Sequence, residues 1–278
     1  MAAPDAILLD FKPPFAIITL NQPKKKNALD LHLYKRLSSI LKEVDRNPEI
    51  YVTVLTGNGD FFSASLILLR SVASLERLSG SNLDMTRSFY THSKILVAGL
   101  NGPAIGLSAA LLGVRRCAFS MRIDFFADPH TAMQHVDLVY AVENAYFLTP
   151  FSAISLVCEG GASQSLVQRM GLSKANEALL LGKKLTAQDL VACGFVNKLF
   201  PPQDAASFRK ELLSYLEQQL SGLELEAILK SKQLIRAALP NPDETNTREV
   251  FAGAERFATG KPQERFSKLA NKEMKHKL

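Results

Sequence analysis

Short runs of mainly apolar residues recur along the first two thirds of the chain and predict strands, of which Ile95–Leu100 is expected to be buried. The first run is rich in β-branched residues and is followed by an Asn-Gln-Pro turn, and the second ends at a Gly-Asn-Gly-Asp turn. The predicted strands are Phe15–Leu20, Tyr51–Thr56, Ile95–Leu100, Val136–Ala141, Ala145–Leu148 and Phe195–Phe200.

Between these runs, apolar residues recur at helical spacing. Leu29–Val44 has such a stripe, and further helices are predicted at Gly161–Met170, at Lys174–Leu181 and from an N-cap at Thr186. From Ala205 onward the pattern is helical. Because strands alternate with helices to about residue 200 and helices follow, the sequence predicts an α/β protein with a helical C-terminal region.

Composition narrows the possible partners and compartments. The chain has 278 residues, of which 47% are hydrophobic, enough for one large or two small domains with a sizeable core. Its net charge of +6 suits a polyanionic partner, either nucleic acid or a phosphorylated cofactor such as coenzyme A. The basic residues lack the interleaved aromatic residues of RNA-binding surfaces, which disfavours nucleic acid.

Cysteine usage and hydropathy favour a reducing compartment and no membrane span. Cys117, Cys158 and Cys193 are widely spaced, which disfavours both a disulfide framework and a zinc site, and the scattered histidines predict no metal. No apolar run approaches ~20 residues, and the N-terminus has no signal-peptide pattern.

The segment Asn101–Leu111 combines a Gly/Pro turn with the start of a helix, directly after the strand Ile95–Leu100. A helix start leaves backbone N–H groups unpaired, here at Gly106 and Leu107. Such donors can stabilise an anion or an oxygen that becomes negative during a reaction. The alternative is an ordinary turn between a strand and a helix.

Glu159 is a lone carboxylate between apolar residues and the pair Gly160-Gly161, which opens a helix. One interpretation is a first-turn glutamate that complements the helix dipole. The other is a general base in an apolar pocket, where desolvation raises the carboxyl pKa towards neutrality.

Both segments resemble the crotonase (enoyl-CoA hydratase/isomerase) superfamily, most of all its peroxisomal Δ3,Δ2-enoyl-CoA isomerases. The run Asn101–Ser108 resembles the second oxyanion-hole segment, and Glu159-Gly160-Gly161 resembles the Glu-Gly-Gly motif that holds the catalytic glutamate. The resemblance implies a crotonase-like spiral of ββα units with a C-terminal helical region. It also implies that Glu159 is the base, that Leu107 supplies one backbone donor, and that Gly106 contacts the substrate.

The other donor is expected from a segment that departs from the family pattern. Phe61-Phe62-Ser63-Ala64-Ser65-Leu66-Ile67 matches the family's Phe-Phe-Ser-Ala-Gly-Ala-Asp only at its start. By this alignment the backbone N–H of Leu66 is the first donor and Ala64 contacts the substrate. Ser65 stands where the family has glycine, whose conformational freedom can be needed for the hole.

The basic turn Lys24–Leu29 resembles the family's Pro-x-x-x-Asn-Ala-Leu segment, which lies along the CoA nucleotide. Lys24, Asn27 and Ala28 are therefore expected to bind CoA, the alternative being a solvated basic turn. The two glutamates of the hydratase branch fall on Ala110 and Phe151, which disfavours hydration.

The resemblance implies isomerisation of 3-enoyl-CoA thioesters to 2-trans-enoyl-CoA in fatty-acid β-oxidation. No resident cofactor is expected, because acyl-CoA is the substrate. Two alternatives stay open: a catalytically impaired crotonase-fold protein that binds CoA esters, and a dienoyl-CoA isomerase. The family also implies a homotrimer or homohexamer.

Two further segments bear on domain organisation and location. Without Val114–Gln134, the sequence resembles the continuous helix-to-strand segment of the family. This segment is therefore interpreted as a retained in-frame intron, the alternative being a surface loop. It lies within an expected core domain of residues 1–204. Residues 205–278 would form the helical region for oligomerisation. The final His276-Lys277-Leu278 is a variant of the Ser-Lys-Leu address, which predicts recognition by the peroxisomal import receptor and a location in the peroxisomal matrix.

Overall fold

The computed structural model describes residues 6–65, 83–112 and 136–274. Leu66, the segment Val114–Gln134 and the tripeptide His276–Leu278 lie outside these ranges. The strands are β1 Ile7–Lys12, β2 Phe15–Leu20, β3 Val52–Gly57, β4 Ser63–Ser65, β5 Ile95–Leu100, β6 Ala104–Gly106, β7 Leu138–Val142, β8 Tyr146–Leu148, β9 Leu185–Thr186 and β10 Lys198–Phe200. The helices are α1 Leu31–Asp45, α2 83–90, α3 Leu107–Ala110, α4 Ala162–Leu179, α5 Ala187–Ala192, α6 Ala205–Leu220, α7 Leu225–Ala237, α8 Pro242–Ala258 and α9 Lys261–Ala270.

A six-stranded sheet in the order β1-β2-β3-β5-β7-β10 forms the centre of the fold. Its strands pair in parallel except for β1, which pairs antiparallel with β2 at the edge. Every residue of β2 and β3 is buried, as expected of parallel strands covered on both faces. The continuous apolar runs in the sequence were therefore a sound guide to this sheet.

A smaller sheet, β4-β6-β8-β9, continues from the ends of the larger one. Strands β3, β5 and β7 each pass through a short turn into β4, β6 and β8, and these pairs are followed by α2, α3 and α4. The chain thus repeats a strand–strand–helix unit, which confirms the expected mixed α/β class. Strand β8 lies within the predicted strand Ala145–Leu148, whereas β4, β6 and β9 have only two or three residues, too few for a hydrophobic period to predict them.

Several boundaries differ from those predicted. Strand β10 begins at Lys198 rather than Phe195, because the N–H groups of Phe195 and Val196 bond the Leu190 carbonyl in a turn after α5. The two helices predicted on either side of Gly171 form the single element α4, broken at Gly171, where φ is +78°. The predicted N-cap at Thr186 is confirmed, with Asp189 completing a capping box.

A buried ion cluster attaches the C-terminal helices to the sheet. Lys232 Nζ of α7 lies 2.8 Å from Asp137 Oδ2 and donates 2.9 Å to the His92 carbonyl, and Arg236 also pairs with Asp137. Burial alone would raise the pKa of the Asp137 carboxyl, but the charges of Lys232 and Arg236 hold it at about 2. Within the described ranges, none of the helices has the length and apolar character needed to cross a membrane.

Candidate active site

Glu159 lies in the loop between β8 and α4, two residues before Gly161, the N-cap of α4. Its side chain is only partly exposed. Burial, and then the negative charge of Glu249, raise the pKa of Glu159 to about 7. A carboxyl group tuned in this way exchanges a proton readily near neutral pH.

Gly160 brings the Glu159 segment directly against α3. A Cβ atom added to Gly160 would lie 2.9 Å from Leu107 Cδ1 and 3.7 Å from Ala110 Cβ. The residue also has φ +70°, a left-handed conformation that favours glycine. The Glu159 segment and the start of α3, which are far apart in the sequence and were both predicted to carry chemistry, therefore contact each other.

Helix α3 begins at Leu107, so the Leu107 N–H has no acceptor within the helix. The preceding Gly106 has φ +76° and pairs in the small sheet with Ser65 of β4. The Ser108 hydroxyl donates 2.9 Å to the Ile105 carbonyl, which braces this helix start. Leu66, the predicted first donor, lies one residue beyond the end of β4, outside the described residues.

The basic turn is hydrogen-bonded to β4, the strand that pairs with β6 before the start of α3. Lys26 and Asn27 have φ +53° each, and the Lys26 carbonyl accepts a bond of 2.9 Å from the Ala64 N–H. Buried Asn27 donates from Nδ2 to the Phe61 carbonyl at 2.7 Å and accepts from the Gln22 N–H at 2.8 Å. Asn27 therefore shapes the turn from inside, whereas Lys24 is exposed to solvent.

The positions that carry glutamates in hydratases are apolar and buried. Ala110 has no exposed surface and Phe151 is 3% exposed. Cys158, beside Glu159, has its thiol pKa raised to about 11 by burial and by the charge of Glu249. Neither of these two positions offers a carboxylate, and the residue that precedes Glu159 offers a neutral thiol.

The N-terminus of α4 is capped by Glu249, a residue that no sequence motif singles out. Glu249 of α8 accepts bonds of 2.7 Å from the N–H groups of Gly161 and Ser163, and a further bond from the Ser163 hydroxyl. The donors that Glu159 would satisfy as a first-turn residue are thus bonded to another side chain. A glycine N-cap signals that an outside acceptor is needed, but nothing local in the sequence identifies one 86 residues away.

The sequence model of the enoyl-CoA hydratase/isomerase family matches residues 11–112 and 131–251. The gap between the two matched stretches overlaps most of the predicted insertion Val114–Gln134, whose last four residues the family model matches. The insertion, and its origin as an intron or a loop, stay predictions.

Full-length relatives carry two kinds of isomerase name. A Delta(3,5)-Delta(2,4)-dienoyl-CoA isomerase of Pyricularia oryzae is 39% identical over 97% of this chain and 98% of its own length. A 3,2-trans-enoyl-CoA isomerase of Saccharomyces cerevisiae is 30% identical over 95% of this chain and 94% of its own length. A crystal structure of an enoyl-CoA hydratase/isomerase from Pseudoalteromonas atlantica matches with a TM-score of 0.78 and 26% identity, covering 98% of this chain and 100% of the other.

Proposed function

The chain belongs to the enoyl-CoA hydratase/isomerase family, and we propose that it is an isomerase that converts 3-enoyl-CoA thioesters to 2-trans-enoyl-CoA. The observation that carries this proposal is the close approach of Gly160 to Leu107, which brings the segment that holds a carboxyl group of raised pKa against the start of α3. The names of the full-length relatives support double-bond isomerisation in general.

The proposed reaction needs one base and a polarised thioester. Ionised Glu159 removes a proton from C2, and the electron pair moves onto the thioester oxygen to give a dienolate. The N–H of Leu107, with that of Leu66 proposed as its partner, donates to this oxygen. Glu159 then returns the proton to C4, so that the double bond moves to C2–C3 and no atom is gained or lost.

The apolar character of Ala110 and Phe151 supports isomerisation over hydration. Hydration requires both activation of a water molecule and delivery of a proton, for which the hydratase branch uses two glutamates. The second carboxylate in this region, Glu249, is bonded through both oxygens to donors of α4. It is therefore turned towards the helix rather than towards a reacting group.

We further propose that the CoA portion of the substrate lies along the basic turn, with Lys24 meeting its phosphates and Gly106, Ala28 and Ala64 close to the thioester arm. Exposed Lys24 is free to pair with a phosphate. Asn27 acts indirectly, because its side-chain amide donates to the Asn58 and Phe61 carbonyls of the loop between β3 and β4.

The activity is tested by mixing purified protein with 3-hexenoyl-CoA and measuring the formation of the conjugated 2-enoyl thioester. Turnover by the wild type that Glu159→Gln abolishes supports the proposal. Binding of substrate without turnover by the wild type would instead indicate a CoA-ester-binding protein.

A second candidate is the isomerisation of 3,5-dienoyl-CoA to 2,4-dienoyl-CoA, favoured by the 39% identity to the Pyricularia oryzae relative. This reaction moves protons between more distant carbons, for which the related enzymes require an additional acid. A 3,5-octadienoyl-CoA assay alongside 3-hexenoyl-CoA separates the two. A larger kcat/KM for the diene would replace the first proposal.

Oligomerisation and location are proposals of the same kind. Leu234 and Phe251, on α7 and α8, are 75% and 67% exposed, and such apolar side chains suit a contact between subunits of a trimer or hexamer. Sedimentation equilibrium gives the subunit number. We propose import into peroxisomes through His276-Lys277-Leu278, tested by deleting these three residues from a fluorescent fusion.

A further inference from the structure

Helix α4 starts without a cap of its own. Gly161, its N-cap, has no side chain, and its φ of +73° continues the left-handed turn begun at Gly160. The first N–H groups of a helix need acceptors, and an uncapped helix end inside a protein is costly. The acceptor here is Glu249, which is 6% exposed and bonded to both Gly161 and Ser163.

Helix α8 is itself held firmly, so that Glu249 is a fixed group. Asp243, in its first turn, accepts a bond from the Tyr90 hydroxyl of α2. Thr245 bonds Gln164 of α4, and Asn246 Nδ2 lies 3.5 Å from the Leu83 carbonyl. These contacts anchor α8 to both α2 and α4 independently of Glu249.

We propose that Glu249 is the positioning residue of the active site: its carboxylate fixes the Gly160-Gly161 turn that carries Glu159 and, when ionised, places a negative charge near that base. This inference rests on the proposed function of Glu159. It extends the active site into α8, a helix of the C-terminal region.

The hydrogen bonds favour the charged form of Glu249. Its two oxygens accept bonds from two N–H groups and one hydroxyl, and a protonated carboxyl would have to give up part of this set. Burial raises the pKa of the Glu249 carboxyl above its ordinary value, and these donors limit that rise without reversing it.

In the described part of the chain, two titratable groups act on Glu159 or neighbour it: Glu249 from α8, and Cys158 from its own segment. The Cys158 thiol is neutral at physiological pH, since its pKa is raised to about 11. The charge that opposes ionisation of Glu159 therefore comes from α8.

The first test is Glu249→Gln, which keeps the shape of the side chain and removes its charge. The acidic limb of the kcat/KM profile with 3-hexenoyl-CoA should move to lower pH by about one unit, because Glu159 loses a like charge. Glu255→Gln is the matched control, since Glu255 is exposed on the same helix. A limb that moves equally in both variants, or in neither, overturns the proposal.

A direct titration separates this inference from the proposed reaction. Carboxyl carbon-13 NMR follows the ionisation of Glu159, whose signal is identified by its loss in Glu159→Gln. The midpoint should fall in Glu249→Gln whatever the reaction catalysed. Full isomerase activity in Glu159→Gln would remove the proposed function and leave this measurement intact, whereas an unmoved midpoint would remove the role of Glu249.

If Glu249→Gln does not fold, Glu249→Asp tests the positioning role instead. The aspartate keeps the charge but is one methylene shorter, so it releases the turn. We expect a limb close to that of the wild type, a similar KM and a kcat about 10- to 100-fold lower, the size of effect produced by misplacement of about 1 Å. Unchanged kcat in a folded Glu249→Asp protein contradicts the positioning role.

Discussion

Asp137 and Glu159 are both acidic residues in the interior of the protein, but their neighbours have opposite charges. Asp137 meets Lys232 and Arg236, and the pKa of its carboxyl falls to about 2. Burial, and then the like charge of Glu249, raise the pKa of Glu159 to about 7. Burial raises the pKa at both sites, and only at Asp137 do opposite charges reverse that effect, so the presence or absence of a counter-charge separates an acid that holds the structure together from one that exchanges protons near neutral pH.

The largest effect is expected from Glu159→Gln on turnover. An amide cannot accept the C2 proton, so kcat with 3-hexenoyl-CoA should fall by about 10²–10⁴-fold or more. The Kd for the substrate, measured by calorimetry, should change little because the shape of the site is kept. Activity within a few-fold of the wild type would end the assignment of Glu159 as the base.

Asp137→Asn should give the largest loss of stability. The substitution leaves the buried ammonium of Lys232 and the guanidinium of Arg236 without a counter-charge, which costs about 3–5 kcal/mol of unfolding free energy. Urea denaturation at neutral pH measures the loss. Lys12→Ala, which removes the exposed Lys12–Asp10 ion pair, is the control. Its unfolding free energy should differ from that of the wild type by less than about 1 kcal/mol.

Glu159→Gln should change stability in the opposite direction. The folded-state pKa of about 7 lies above the usual value of 4.5, so ionisation of Glu159 costs free energy as the pH rises through 7. The variant should therefore gain up to about 3 kcal/mol over the wild type at pH 8 and little below pH 4.5. A gain that does not depend on pH would contradict this account of the two acids.

The smallest effect is expected from Gly160→Ala. A side chain at φ +70° costs about 1–2 kcal/mol, and the added methyl group meets the flexible end of Leu107 at 2.9 Å. Thermal unfolding should show a modest loss of stability with a disproportionate loss of kcat, since the Glu159 backbone moves away from α3. Gly194 has φ +77° and open space around it. Gly194→Ala therefore measures the cost of a side chain at positive φ without a steric contact.

The sequence predicted the parts of the molecule whose signals are local. The runs Phe15–Leu20 and Ile95–Leu100 match β2 and β5 residue for residue, because each is a nearly continuous apolar segment that is followed directly by a turn sequence. The motifs around Leu107 and Glu159 were found through their resemblance to a family.

The interactions that were missed join residues distant in the sequence. Glu249 meets Ser163 across 86 positions and Lys232 meets Asp137 across 95. Glu249 and Lys232 lie on amphipathic helices, and in such helices the sequence pattern predicts that charged side chains face the solvent. Only the packing of α7 and α8 against the sheet reveals their partners.

The bond between Glu249 and the start of α4 also has a consequence for biosynthesis. While the ribosome has made the sheet and α4 but not yet α8, the turn that carries Glu159 lacks its support. A nascent chain or a proteolytic fragment that stops before α8 should therefore be inactive even with the rest of the site present. Catalytic competence would arrive late in translation, after most of the polypeptide has begun to fold.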